Sequence, residues 1–104
     1  MYNQKIMETF SDVISADRLV LVDFFATWCG PCKAMHPVLE QLKQQLGDRL
    51  RIIKIDVDKN QAVAAQYQVQ AVPTLMLFRG GRLLWRQSGA VPLQQLMGIV
   101  ESYV

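Results

Sequence analysis

Two cysteines separated by two residues are the most reactive feature of this chain. Cys29 and Cys32 flank a Gly-Pro pair, and they are the chain's only cysteines. Pro31 suits the first turn of a helix, where its missing N–H group would have had no partner. The spacing therefore predicts that Cys29 lies at a helix start, where free N–H groups and the helix dipole favour a thiolate. Cys32 lies on nearly the same helical face, so we predict a dithiol that can open and close.

One carboxylic acid interrupts the apolar segment that precedes the cysteines. Residues 19–26 read LVLVDFFA, and such a run is typical of a strand that is covered on both faces in a mostly parallel sheet. Asp23 could be a solvated residue at a strand edge. We favour a buried carboxyl whose pKa is raised by desolvation.

Length, composition and charge restrict the class of protein. A chain of 104 residues has room for one domain, and 51% hydrophobic against 19% charged residues is typical of a compact globular protein. A net charge of +2 is too small to indicate nucleic acid or an anionic membrane as a partner. The longest apolar run, about eight residues, is well short of the ~20 that span a bilayer. We expect a cytoplasmic protein, because residues 1–8 contain no secretion signal, and we also expect a monomer. A signal that had been removed would leave the same sequence.

Apolar periodicity predicts the elements that position the two cysteines. The helix after Cys32 has one apolar stripe and ends at Gly47. A short helix precedes the first strand, with Thr9 or Ser11 as its cap. The first eight residues are weakly patterned, so a strand there is short or absent. The stripes consist of Phe10, Val13 and Ile14 in the first helix, and Met35, Val38, Leu39, Leu42 and Leu46 in the second.

The second half of the chain predicts three strands and two helices. Residues 51–57 are β-branched and favour a strand, and Asn60 can cap the helix that follows. Residues 74–78 and 83–86 read as a hairpin around Gly80-Gly81. Pro92 opens a final helix. The buried face of that helix is Leu93, Leu96, Met97, Val100 and Tyr103.

Residues 28–33, WCGPCK, resemble the active site of the thioredoxin family, and Val22-Asp23-Phe24 resembles its central strand. Further matches lie at residues 54–58, at 72–74 and at Gly89, so the resemblance covers roughly residues 10–104. It implies the α/β thioredoxin fold. In that fold a central mixed sheet, parallel and then antiparallel, has helices on both faces.

The resemblance also implies a function, that of a general protein-disulfide reductase. Cys29, exposed at the helix start, would attack the disulfide of a client protein, and Cys32 would resolve the mixed disulfide. The Gly30-Pro31 pair resembles that of the reducing members of the family. Electrons would come from a thioredoxin reductase, and no bound cofactor or metal is implied.

Other matching residues are expected to support this exchange. Asp23 would accept the proton of Cys32, directly or through one water. Lys54 is its candidate partner, although a lysine whose side chain reaches solvent is an equal possibility. Pro73 matches a proline that is cis in the family. We expect a shallow apolar platform for an extended client segment. It would consist of Trp28, Gly30, Pro31, Val72, Pro73, Gly89 and Ala90.

Several alternatives remain open at this stage. The cysteines could form half of a zinc site with His36, or a structural disulfide, although a two-residue loop constrains an unfolded chain very little. The protein could instead be an oxidase, a reductant dedicated to one client, or a binding subunit of a larger assembly. His36 could approach Asp23 and share its proton, or lie in water at the edge of the site, which is the interpretation we favour.

Overall fold

The computed structural model describes residues 10–104, which form a four-stranded sheet and the helices around it. Helix α1 covers the described residues 10–15. The remaining elements are β1 (Leu19–Phe25), α2 (Gly30–Leu46), β2 (Leu50–Asp56), α3 (Gln61–Gln66), β3 (Thr74–Arg79), β4 (Arg82–Ser88) and α4 (Leu93–Glu101). A 3-10 turn, Gly47–Arg49, joins α2 to β2.

The strands lie in the order β2-β1-β3-β4. Strand β1 runs parallel to β2 and antiparallel to β3, and β3 and β4 form an antiparallel hairpin. The predicted mixed sheet is therefore confirmed, and among residues 10–104 β1 lies between β2 and β3. A strand before residue 10 lies outside the described residues, as does the Thr9 cap.

Alternation along β1 explains why helices cover both faces of the sheet. Leu19 and Leu21 pack with α2 and α4 on one face. Val20, Val22 and Phe24 pack with α1 and α3 on the other. Because successive side chains of a strand point to opposite faces, the apolar run needs both layers of helices.

Glycines and a proline lie at the element boundaries that the sequence predicts. Gly47 follows α2 with a φ of 55°, in the left-handed region that glycine adopts at little cost. Gly80 and Gly81, with φ of 58° and 79°, form the tip of the β3–β4 hairpin. Pro92 immediately precedes α4. Within residues 10–104, no helix is both long and apolar enough to cross a membrane.

Candidate active site

The two cysteines lie at the N-terminal end of α2, directly after the carboxyl end of β1. Cys29 is the N-cap residue of the helix and Pro31 occupies its first turn. The two side chains are joined by a disulfide bond, with their Cα atoms 5.3 Å apart. The backbone N–H of Cys32 donates to Cys29 Sγ at 3.1 Å. The same contact would stabilise a thiolate on Cys29 after reduction, because it adds a donor to the favourable end of the helix dipole.

The expected exposure of Cys29 is not observed in this disulfide form. Cys29 is 4% exposed and Cys32 is 1% exposed. Both pack with Ala26 and against the partly buried side chains of Phe25, Val57 and Val72. The sequence shows which cysteine begins the helix, but it does not show that loops from elsewhere in the chain cover that position.

Asp23 is fully buried in β1, and neither of its carboxylate oxygens has a hydrogen-bond partner among residues 10–104. It follows Leu19 and Leu21 on the face of the sheet that packs against α2. Burial raises the pKa of Asp23 to about 6, and the positive charge of Lys54 opposes part of that increase. A carboxyl group with this pKa can bind and release a proton near neutral pH.

Lys54 is the residue of β2 that pairs with Asp23 in the parallel register. Its side chain is exposed, and its Nζ lies 2.7 Å from His36 Nδ1. No hydrogen bond links Lys54 or His36 to Asp23 within the described chain. His36 is half-buried at the edge of the site, with its ring centroid 6.4 Å from that of Phe25. Both sequence-based interpretations of His36 missed its contact with Lys54.

Sequence reasoning also missed the role of Asp58. Trp28 is 71% exposed, and its Nε1 donates to Asp58 Oδ2 at 2.8 Å. A second acid, Asp56, fixes this loop by accepting from the N–H of Asp58 at 2.9 Å. The carboxyl ends of the parallel strands β1 and β2 meet at one edge of the sheet, so the topology could have indicated this contact.

The remaining predicted platform residues come together beside the disulfide. The Val72–Pro73 peptide bond is cis. The Val72 carbonyl oxygen lies 3.6 Å from Cys29 Sγ, and the N–H of Gly89 donates to the Pro73 carbonyl at 2.8 Å. Contacts thus link three separate loops near the helix start, and their use as a client platform stays a prediction. They contain Trp28 to Pro31, Val72 to Pro73, and Gly89 to Ala90.

A family model described as thioredoxin matches residues 2–102, nearly the whole chain. The chain belongs to the thioredoxin family. Its cysteine pair, spaced C-G-P-C and at disulfide distance, is accordingly a thiol–disulfide exchange site. The fold agrees, because the chain superposes on the structure of a mutant thioredoxin from Halobacterium salinarum NRC-1 with a TM-score of 0.83. That match has 44% identity and covers 90% of this chain and 81% of the other.

Thioredoxins from several sources are similar to this chain. Thioredoxin 1 of Chlorobaculum tepidum is 47% identical over 90 residues, which is 86% of this chain and 89% of that protein. The thioredoxin of Bacillus subtilis is 43% identical and covers 86% of each chain. Chloroplastic thioredoxin Y of rice is 39% identical over 95% of this chain, which spans 60% of that protein's length.

The side chains of the site that could bind a metal contact one another instead. Cys29 and Cys32 share a disulfide, and His36 Nδ1 contacts Lys54. Within the described part of the chain, no group of three or more histidine, cysteine or acidic side chains could hold a metal ion.

Proposed function

We propose that this chain is a general protein-disulfide reductase that acts as a single domain. The observation that carries the proposal is the Cys29–Cys32 disulfide at the start of α2, with the N–H of Cys32 directed at Cys29 Sγ. Reduction of this disulfide yields two thiols, and the helix start favours the thiolate on Cys29.

The proposed reaction consists of two exchange steps. Cys29 thiolate attacks a client disulfide, forming a mixed disulfide and releasing one client thiolate. Cys32 loses its proton to Asp23 and then attacks Cys29 Sγ, which releases the second client thiolate. The client gains two electrons, and the pair Cys29–Cys32 becomes a disulfide. A thioredoxin reductase returns two electrons to the pair, so no bound cofactor is needed.

Client proteins would bind along the loops around the disulfide. The N–H and carbonyl of Val72 form no backbone hydrogen bond within residues 10–104. They can pair with an extended client segment in the manner of an added strand. The exposed ring of Trp28 would supply apolar contact area, and Asp58 fixes its orientation. Gly30, Pro31, Pro73, Gly89 and Ala90 complete this surface.

We further propose that the protein works as a cytoplasmic monomer. A pair of cysteines in a reducing compartment serves catalysis more often than structure. The bacterial relatives support this placement, whereas the chloroplastic relatives from plants indicate that the same design also serves an organelle.

Turnover of a protein disulfide with a coupled thioredoxin reductase tests the function. The wild type should sustain turnover, and Cys29→Ser should abolish it. Cys32→Ser should instead trap the client as a mixed disulfide on Cys29, which mass spectrometry would detect. A trap formed by Cys29→Ser and not by Cys32→Ser would reverse the two roles.

The reduction potential separates a reductase from an oxidase. Thioredoxin couples lie at about −270 mV, and strongly oxidising relatives lie near −120 mV. We expect a value close to the lower figure. If Cys29→Ser/Cys32→Ser retains full function, the chain is a binding subunit and the proposal is wrong.

A further inference from the structure

His36 and Lys54 contact each other beside the cysteines and Asp23. His36 lies four residues after Cys32, about one turn further along α2. Lys54 Nζ is 2.7 Å from His36 Nδ1. An ammonium group has donors and no acceptor, so Nδ1 is the acceptor and the ring proton of the neutral imidazole lies on Nε2.

Lys54 needs such a contact if its charge is to stay in one place. Its Cα is fixed by the register with Asp23, but four flexible methylene groups separate the backbone from the ammonium. The side chain is exposed, and the carboxylate of Asp23 forms no hydrogen bond with it. The strand therefore determines where the stem of Lys54 begins, and His36 determines where Nζ lies.

His36 is suited to hold the ammonium because the ring is itself held. Its backbone belongs to α2, the same helix that carries both cysteines. The ring is half-buried and meets Phe25 edge-on, with 6.4 Å between centroids and an interplanar angle of 70°. Phe25 is two residues after Asp23 in β1, so the contact connects His36 to the strand that carries the acid.

We propose that His36 is a positioning residue that holds the Lys54 ammonium near Asp23 and thereby sets how readily Asp23 accepts the proton of Cys32. The proposal rests on the role of Asp23 in the proposed function. Lys54 lowers the pKa of Asp23 against the effect of burial. Without His36 the ammonium turns towards water, and the pKa of Asp23 rises.

The pKa of Asp23 could also respond to other ionisable groups on this side of the sheet. Cys32 on α2 does not titrate in the disulfide form. Asp56, two residues after Lys54 in β2, already accepts from the N–H of Asp58. The residue of β3 paired with Asp23 is Leu75, which has no titratable group. Glu40 and Lys43 of α2 line the same cavity as Lys54, and both are unchanged in the variants compared below. We assign the effect of His36 to Lys54, which the Lys54→Met background tests.

The first measurement needs no turnover. A ¹³C NMR titration of the Asp23 carboxyl in the oxidised protein should give a midpoint roughly 0.5 unit higher in His36→Ala than in wild type. His36→Asn places an amide oxygen close to the position of Nδ1. It should therefore bring the midpoint at least halfway back to the wild-type value. Gln41→Asn, an exposed change in the same helix, is the matched control and should leave the midpoint unchanged.

The second measurement is the rate at which the reduced protein reacts with a protein disulfide, as a function of pH. His36→Ala should be roughly twofold slower at pH 6, where less Asp23 is ionised, and equal to wild type at pH 8. In a Lys54→Met background, His36→Ala should change neither the midpoint nor the rate.

Three results would overturn the proposal. The first is a midpoint in His36→Ala within 0.1 unit of wild type. The second is a full shift in the Lys54→Met background, and the third is a shifted midpoint with an unchanged rate at pH 6. Failure of the proposed function is distinguishable, because it removes turnover in the wild type and leaves the titration of Asp23 intact.

Discussion

At the scale of single residues, Asp23 is buried at an energetic cost to the fold. Its carboxylate has no hydrogen-bond partner among residues 10–104, and the charged form is disfavoured there. The pKa of about 6 in the folded state exceeds the value of ~3.9 expected in the unfolded chain. Such a placement is understandable if the group must exchange a proton near neutral pH.

Asp23→Asn should stabilise the oxidised protein at high pH. Because the folded state of the wild type holds the proton more tightly, its free energy of unfolding falls as pH rises from ~4 to about 6 and is then constant. The variant lacks this loss, so at pH 8 it should be more stable by about 3 kcal/mol. Urea unfolding at pH 4, 6 and 8 would measure the difference. Equal stability of the two proteins at pH 4 and at pH 8 would contradict the burial argument.

At the scale of elements, α2 carries chemistry at one end and is anchored at the other. Lys43 Nζ donates to the carbonyls of Gly47 at 2.9 Å and Leu50 at 2.6 Å. These carbonyls belong to the turn after the helix and to the first residue of β2. A cation at a helix C-terminus also complements the helix dipole. The anchor fixes α2 against the strand that carries Lys54.

Lys43→Met should lower the free energy of unfolding by about 1 kcal/mol, since two charge-assisted hydrogen bonds are lost while helix propensity is nearly unchanged. Urea unfolding measures the loss. Gln44→Met, at the next position of α2, which is also exposed, is the matched control and should change stability by less than ~0.5 kcal/mol. Equal losses in both variants would show that the anchor contributes nothing.

At the scale of the whole molecule, each face of the sheet has its own apolar layer. The layer opposite the disulfide helix is centred on Phe10, which lies within 5.4 to 6.2 Å, centroid to centroid, of three aromatic rings. These rings belong to Phe24, Tyr67 and Phe78, so the layer joins α1, β1, the C-cap residue of α3, and β3. Such aromatic pairs add to the free energy gained from burial.

Phe10→Ala should therefore destabilise the entire domain, by about 3 kcal/mol. The substitution leaves a cavity on the other side of the sheet from the cysteines. The denaturation midpoint should therefore fall in the oxidised and the reduced protein alike. Leu83→Ala, at a 46% exposed position, is the control and should alter stability by ~0.5 kcal/mol or less. A loss confined to one redox state would link this layer to the disulfide.

Much of the fold could be predicted because its signals are local. The stripe from Met35 to Leu46, the glycine that ends α2 and the Gly80-Gly81 turn each depend on residues close together in sequence. The start of α2 at Cys29 is local in the same sense. These features predict the order of the elements after residue 10, and the structure confirms it.

The contacts that were missed join residues from different elements. His36 and Lys54 are 18 residues apart, and Trp28 and Asp58 are 30 apart. Whether such side chains meet depends on the rotation of a helix over a strand or on the path of a loop, which periodicity does not determine. The covering of Cys29 by Val72 is of the same kind, because it joins segments 43 residues apart.

If clients pair with the backbone of Val72 as proposed, its N–H and carbonyl, which form no backbone hydrogen bond within residues 10–104, affect which clients the protein can bind. Every polypeptide offers the same N–H and carbonyl groups, so a partner bound through them is not selected by its side chains. It must instead present several residues in extended form beside its disulfide. A bridge held inside a rigid helix or a closed sheet cannot do so until its surroundings open locally. The reductase would then sort its clients by how easily they unfold around the bond.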